Sequence, residues 1–203
     1  MPTRPLVLAS ASPARLGLLR GAGFDPVVEV SGVEEPAWAG EDPRDYVRGL
    51  AEAKAVAVAR RVEPERVAQG ALVVGCDSML VLDGRVQGKP SSADDALERW
   101  RAMRGQTGAL LTGHCVVDTA SGDLVADVGS TTVHFGSPTD AELEAYVATG
   151  EPLGVAGGFT LDGRSGPYVL GIEGDHGNVL GLSLPLLRML LAQLDVEVHD
   201  LWA

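Results

Sequence analysis

The sequence predicts an α/β fold, and three observations carry that reading. Short apolar stretches at 6–9, 73–82, 110–117 and 124–135 have the Val- and Leu-rich character of strands. Between them lie segments that open on Ser, Asp or Thr followed by Pro or acids, the signature of helix starts. Inside the stretch Val73 to Pro90, the dipeptide Asp83-Gly84 favours a tight hairpin with positive φ at both central residues.

Taken in order, Leu6 to Ala9 is a short buried strand, and Ser10-Ala11-Ser12-Pro13 turns it into a helix with Ser12 at the N-cap and Pro13 in the first turn. That helix runs to about Gly21. A strand, a Ser-rich turn and a helix start present backbone amides to an anion, although ordinary capping explains the same residues. Pro26 to Val30 reads as a second strand, left through Ser31-Gly32-Val33-Glu34-Glu35-Pro36, whose adjacent acids are either solvated or metal ligands. Asp42-Pro43 starts a helix to about Arg60, with Tyr46, Val47, Leu50, Ala51, Lys54 and Val58 at three- and four-residue spacing. Lys54 falls on or beside that apolar stripe, where a lysine either snorkels outward or reaches an anion.

The hairpin comes next. With Asp83 and Gly84 as its loop, Leu82 faces Arg85 and the ladder brings Asp77 and Lys89 to diagonal positions; a site shared by these two needs a bulge or frayed end near Gly88. Ser92-Ala93-Asp94-Asp95 resembles a capping box and opens a helix to about Met103, stopped by Gly105. Leu110–Val117 and Leu124–Phe135 form an antiparallel pair turning near Ser121-Gly122, with Thr131, Val133 and Phe135 on one covered face. Thr139 to Glu142 caps another helix ending near Gly150. The glycine-rich stretch from Gly150 to Gly181 carries Phe159, Leu161, Tyr168, Val169 and Ile172, too apolar for a linker, and reads as short strands and tight turns. Leu184–Leu194 is a last helix and Val196-Glu197-Val198 a terminal strand.

A chain of 203 residues suits one domain or one two-lobed domain. A formal net charge of −12 argues against binding a nucleic-acid polymer or an acidic membrane. It leaves room for a small polyanion held by metal ions, local cations and loop amides. The two cysteines, Cys76 and Cys115, suggest neither a disulfide framework nor a metal site. The N-terminal apolar stretch is too short for a signal peptide and no stretch approaches a membrane span, so the expected location is cytoplasmic.

An aspartate in an apolar strand is costly when charged and unpaired, so Asp77 requires a cation, a metal or a proton. No phosphate loop, dinucleotide fingerprint, zinc-protease or serine-hydrolase motif is present, and the histidines at 114, 134, 176 and 199 are scattered. What remains is acids (Glu34, Glu35, Asp77) and cations (Arg15, Lys54, Lys89) at the ends of expected elements. Such a set suits metal-assisted attack on a phosphate chain.

The ordered motifs resemble the Maf family of nucleoside triphosphate pyrophosphatases, a name linked to septum formation. Ala9-Ser10-Ala11-Ser12-Pro13 with Arg15, the acidic turn Ser31–Glu35, Leu50-Ala51 with Lys54-Ala55, Asp77-Ser78 and Gly88-Lys89-Pro90 carry the resemblance. Thr112-Gly113, Glu151-Pro152, Ala156-Gly157, Asn178-Val179 and Gly181-Leu182 extend it over nearly the whole chain. The resemblance implies one elongated, two-lobed domain over 1–203, built around a mixed sheet with a nucleotide cleft between the lobes. It implies hydrolysis of a nucleoside triphosphate, non-standard or surplus, between the α and β phosphates, with Mg²⁺ or Mn²⁺. Asp77 would be the proton acceptor and would share the metal with Glu35. Lys54 and Lys89 would act in catalysis, while Ser10, Ser12 and Arg15 would hold phosphate; a homodimer is compatible with it.

Several positions depart from the family pattern: Ala14 for a second arginine, Gly17 for a glutamate, Gly154 and Val155 for an acid and a lysine, Asp162 for a glutamine and Ser78 for a threonine. They leave the acids intact and bear on which base is preferred, pyrimidine, 7-methylguanine or another. The alternative is a non-catalytic, nucleotide-binding regulator of cell division, which would have no need of Asp77 as a base.

Overall fold

Hydroxyl and carboxylate side chains start the helices in the computed structural model, which describes residues 4–203. Ser12 caps α1 (Pro13–Gly21), its Oγ accepting from Arg15 N–H at 3.4 Å, and Asp42 caps α2 (Pro43–Ala59) by accepting from Arg44 N–H at 2.7 Å. Proline in each first turn removes an N–H that would have no helical partner. The five-residue α3 (Pro64–Ala68) is additional to the expected elements, being too short to show a helical period. Ser92 caps α4 (Ala93–Met103), but its capping box is incomplete: the Asp95 carboxylate accepts from Ser91 N–H and pairs with Arg99. The box at α5 (Asp140–Ala148) is reciprocal, between Thr139 and Glu142. Two helices follow, α6 (His176–Leu180) and α7 (Leu184–Gln193), the latter capped by Ser183.

Seven strands form one mixed sheet: β1 (Leu6–Leu8), β2 (Val27–Val28), β3 (Leu72–Leu82), β4 (Arg85–Gln87), β5 (Thr107–Asp118), β6 (Leu124–Phe135) and β7 (Val169–Glu173). Their order is β2-β1-β3-β5-β6-β7, with β4 attached to β3. β1 runs parallel to β2 and β3, and β7 antiparallel to β6. Asp118 N–H donates to Asp123 O at one end of the β5–β6 pair and Phe135 N–H to Gln106 O at the other, an antiparallel sense. The β3–β4 hairpin has the expected turn, with φ of 48° at Asp83 and 72° at Gly84, and pairs Leu82 with Arg85, Val81 with Val86 and Leu80 with Gln87. Pairing ends there. Gly88 O turns away to accept from Gly157 N–H and the Arg99 guanidinium.

Three expected elements differ. β2 is shorter than Pro26–Val30, because the carbonyls of Val30 and Ser31 accept from the Arg61 guanidinium at 2.7 and 2.8 Å instead of joining a ladder. The terminal strand at 196–198 is absent. Asp195, at φ 55°, reverses the chain after α7, Val196 N–H returns to Leu191 O, and Val198–Leu201 is a 3₁₀ turn. The glycine-rich stretch holds three 3₁₀ turns (Glu151–Gly154, Ala156–Gly158, Gly166–Tyr168), α6 and only one strand; positive φ at Gly157 and Gly158 interrupts any extended run there.

The residues group into two compact units. The first holds the chain up to Asp77, Thr112–Gly129 and Gly181–Ala203; the second holds Ser78–Leu111 and Ser130–Leu180. Strand alternation gives the first unit two apolar layers. Leu6, Leu8, Leu72, Val74 and Cys76 pack with Leu19 of α1 and Leu187, Leu190 and Leu191 of α7, while Val7, Val73 and Cys115 pack with Ala51, Ala55 and Val58 of α2. In the second unit Trp100 lies edge-on to Phe135, Tyr146 and Tyr168 with ring centroids 5.6 to 6.0 Å apart, and its Nε1–H donates to Gly158 O.

The approach of α2 to the sheet is set by two glycines without side chains. A Cβ at Gly75 would lie 2.3 Å from Ala51 O, and one at Gly113 would lie 2.2 Å from Val47 O. Both neighbours are backbone and cannot rotate away. Gly75→Ala is therefore expected to cost upward of about 3 kcal/mol, the severe end of overpacking. Gly17→Ala, inside α1 with nothing within 4 Å of the new methyl, is expected to stabilise by about 0.5–1 kcal/mol. Urea unfolding midpoints of the two variants, with opposite signs, check this pair.

Candidate active site

The strand parity that turns Val73 and Gly75 toward α2 turns Asp77 the same way. The Asp77 carboxylate is 5% exposed, and its Oδ1 accepts from Lys54 Nζ at 2.5 Å. The same ammonium donates to Glu35 Oε1 at 2.6 Å. Lys54, at 9% exposure, does not snorkel outward; it stands between an interior acid and one whose side chain is 46% exposed. Asp77 Oδ2 is buried without a hydrogen-bond partner.

Burial pushes the Asp77 carboxyl above the usual carboxylate range, and the Lys54 ammonium, which opposes that shift, is outweighed. Glu35 pushes it further up and Arg15 draws it down, so both charges act on Asp77. An acid held this way retains its proton more readily than a surface carboxylate and is a better base once ionised.

The acidic turn is fastened to the α2 segment at both ends. The Arg61 guanidinium takes the carbonyls of Val30 and Ser31, and Tyr46 OH donates to Pro36 O at 2.6 Å. Burial raises the Tyr46 phenol pKa, with Asp77, Glu35 and Glu41 acting in the same direction. Sequence reading did not single out these two braces. Arg61 lies just past the cap of α2, where no helical period marks it. Between the acidic turn and α2 lies a cavity of about 350 Å³, lined in part by Val33, Glu34, Pro36, Tyr46, Leu50 and Ala53.

A second constellation lies at the start of α1. Ser10 Oγ accepts from Ser12 N–H at 3.2 Å and from Arg15 Nη1 at 2.9 Å, leaving its O–H to donate. Arg15 Nε donates to Gly181 O at 2.8 Å, so the guanidinium plane is held from two sides. Ser12 Oγ serves as the helix cap. Of the expected site residues, contacts thus join Glu35, Lys54 and Asp77 in one group and Ser10, Ser12 and Arg15 in another, both in the first unit. Lys89 is exposed just beyond β4 in the second unit. Asp162 is exposed in the second unit, in a turn braced by Glu151, whose Oε1 accepts from Thr160 Oγ1 and Arg164 N–H.

Carboxylates beside a buried ammonium, and a guanidinium at a helix start, can hold an anionic group and move a proton beside it. Residues 5–194 match the family described as Maf-like protein. The chain is similar to a protein of Streptomyces coelicolor named nucleoside triphosphate pyrophosphatase, at 61% identity over all of this chain and 96% of the relative. Proteins of the same name from Streptomyces avermitilis and Salinispora tropica are 57% and 52% identical, covering 99% and 98% of this chain and 96% and 87% of theirs.

Because burial raises the Asp77 pKa, the folded protein binds this proton more tightly than the unfolded chain does. Ionised Asp77 then opposes folding, and its contribution falls as pH rises from the unfolded carboxylate value to the folded one. Lys54→Met removes the main opposing charge, so the Asp77 pKa is expected to rise further. Carboxyl-carbon NMR titration of the two proteins measures that shift, and an unchanged or lower Asp77 pKa in the variant would contradict the balance described.

Proposed function

The chain belongs to the Maf family, and from that membership we propose that it is a nucleoside triphosphate pyrophosphatase, converting a nucleoside triphosphate and water to the monophosphate and pyrophosphate. The observation that carries the reading is the buried Asp77 carboxylate, with Oδ1 fixed by Lys54 and Oδ2 left to accept a proton. In this reading water attacks the α phosphorus, its proton passes to Asp77, and the bond to the bridging α–β oxygen breaks with pyrophosphate as leaving group. Arg15, the O–H of Ser10 and the amides that follow Ser12 hold phosphate oxygens, and Lys54 and Lys89 neutralise charge that gathers on the leaving group. Both units serve one Maf-like domain.

A divalent cation such as Mg²⁺ or Mn²⁺ fits the residues present, since Asp77 Oδ2 is a buried acceptor and Glu35 is a second carboxylate on the same ammonium. Among the described residues no group of three or more His, Cys, Asp or Glu side chains could hold an ion. Two carboxylates suit a cation that takes its other ligands from phosphate and water. When bound, it supplies phosphate charge neutralisation and a more acidic water. Among the described residues no helix is long and apolar enough to cross a membrane; action in the cytoplasm, on non-standard or surplus nucleotides and as a homodimer is part of the proposal.

Asp77→Asn keeps the shape and the Oδ1 acceptor but removes charge and basicity. Turnover is expected to fall about a hundredfold or more, mainly in kcat, with nucleotide binding retained. Lys54 keeps Glu35 as its partner, so folding should survive. Chromatography of products from a nucleotide panel with Mg²⁺ or Mn²⁺ should show monophosphate and pyrophosphate. Diphosphate as the first product would rule out α attack, and binding without turnover on any nucleotide would favour a regulator of cell division.

The base preference is assigned to Asp162. An ionised carboxylate only accepts hydrogen bonds, so it suits donor edges such as a guanine amino group and disfavours a pyrimidine carbonyl. Thymidine triphosphate is expected to be no better a substrate than a modified purine, and Asp162→Gln to shift the ratio of their kcat/KM values toward thymidine. A strong thymidine or uridine preference unchanged by the substitution would remove this residue from base selection.

A further inference from the structure

We propose that His114 is a positioning residue for the Arg15 guanidinium, acting through the backbone of Gly181–Ser183; this rests on the reading that Arg15 holds phosphate. His114 lies on β5 with no exposed surface. Its Nε2 accepts from Ser183 N–H at 2.7 Å, and its Nδ1 is 2.9 Å from Thr112 O. A neutral imidazole has one acceptor and one donor nitrogen, so acceptance at Nε2 assigns the proton to Nδ1, which donates to Thr112 O. Both polar ring atoms therefore have backbone partners, one 69 residues away.

Ser183 caps α7 with its Oγ, which accepts from Leu186 N–H, and its carbonyl accepts from Leu187 N–H. Its own N–H points back out of the helix, and His114 takes it. Two residues earlier the chain presents Gly181 O to Arg15 Nε at 2.8 Å, at a φ of 107° that glycine adopts readily. A methyl at Gly181 would lie 3.0 Å from Arg15 Nε, so there is little room between this backbone and the guanidinium. The sequence of contacts is thus Thr112 O, His114, Ser183 N–H, Gly181 O, Arg15 and Ser10 Oγ. A planar guanidinium recognises phosphate only when its plane is aimed, and here the aim is set by a carbonyl that His114 holds in place.

Two substitutions at His114 separate positioning from packing. Asparagine can keep the donor to Thr112 O but lacks the reach to Ser183; glutamine can place an acceptor where Nε2 stood. His114→Asn is expected to raise KM for the triphosphate and Kd for pyrophosphate about tenfold, the scale of one charge-assisted hydrogen bond, with kcat within about threefold. His114→Gln is expected to restore both values to within about threefold of the parent at a similar Tm. Equal KM values for the two variants, or a loss confined to kcat, would overturn the inference. Arg15→Met should raise KM by more, with little further effect of His114→Asn in that background. No effect of Arg15→Met on KM or pyrophosphate binding would sink the phosphate reading of Arg15 and the inference with it; a large effect there without one at His114→Asn would sink the inference alone. Should His114→Asn not fold, ¹⁵N-histidine spectra of the parent decide. The His114 Nε2 resonance is expected to move when pyrophosphate is added, and not in Arg15→Met; a stationary resonance in the parent would overturn the proposal.

Discussion

A carboxylate buried in a β-sheet needs a partner for its charge, and the cation that Asp77 is given shapes much of the packing around it. Asp77 is compensated by Lys54, whose four-carbon stem reaches only if α2 lies close against β3. The strand provides the room by having no side chain at Gly75, and the neighbouring strand does the same at Gly113. On the helix, Ala51 and Ala55 are the buried residues that meet the strands, so that the backbones and not bulky side chains set the spacing. The cost of burying one charge thus dictates small residues on two strands and a helix.

The second acid, Glu35, shares the ammonium from a loop with little regular structure. A loop could carry its carboxylate away, and the ion pair alone, half exposed, would hold it weakly. Arg61 and Tyr46 add restraint by fastening the backbone on either side of Glu35 to the segment that bears Lys54. Lys54 and Glu35 consequently share one support. Rigid support of a reacting group by neighbours that do not react is what keeps the group within useful reach.

Local chemistry made much of the fold legible in advance. Ser12-Pro13, Asp42-Pro43 and the Thr139–Glu142 box mark helix starts because their side chains bond amides only a few residues away. Asp83-Gly84 fixes its turn for the same reason, through φ values that few other pairs tolerate. Lys54 and Asp77 were visible as polar residues in apolar surroundings. What escaped depends on distant partners, as the end of β2 does on Arg61 and the seat of Arg15 on Gly181, 166 residues away, or on a local backbone conformation that the apolar pattern does not show, the left-handed Asp195 ahead of the expected terminal strand. The four histidines read as scattered, and only the fold distinguishes the buried His114 from the others.

The first unit is not continuous along the chain: its sheet is laid down early, interrupted, resumed at Thr112–Gly129 and closed by Gly181–Ala203. During synthesis, Arg15 emerges long before the carbonyl that orients it, and the leucines of α7 that cover Leu6, Leu8 and Leu72 emerge later still. Leu6, Leu8 and Leu19 therefore remain without their final cover until α7 has been made, in the state most open to aggregation or chaperone capture. Closing contacts of such sequence separation also slows the search once the chain is released. The seat of Arg15 is in this sense assembled in two stages: Ser10 and Arg15 are made together, and the carbonyl that completes their arrangement is added 166 residues later.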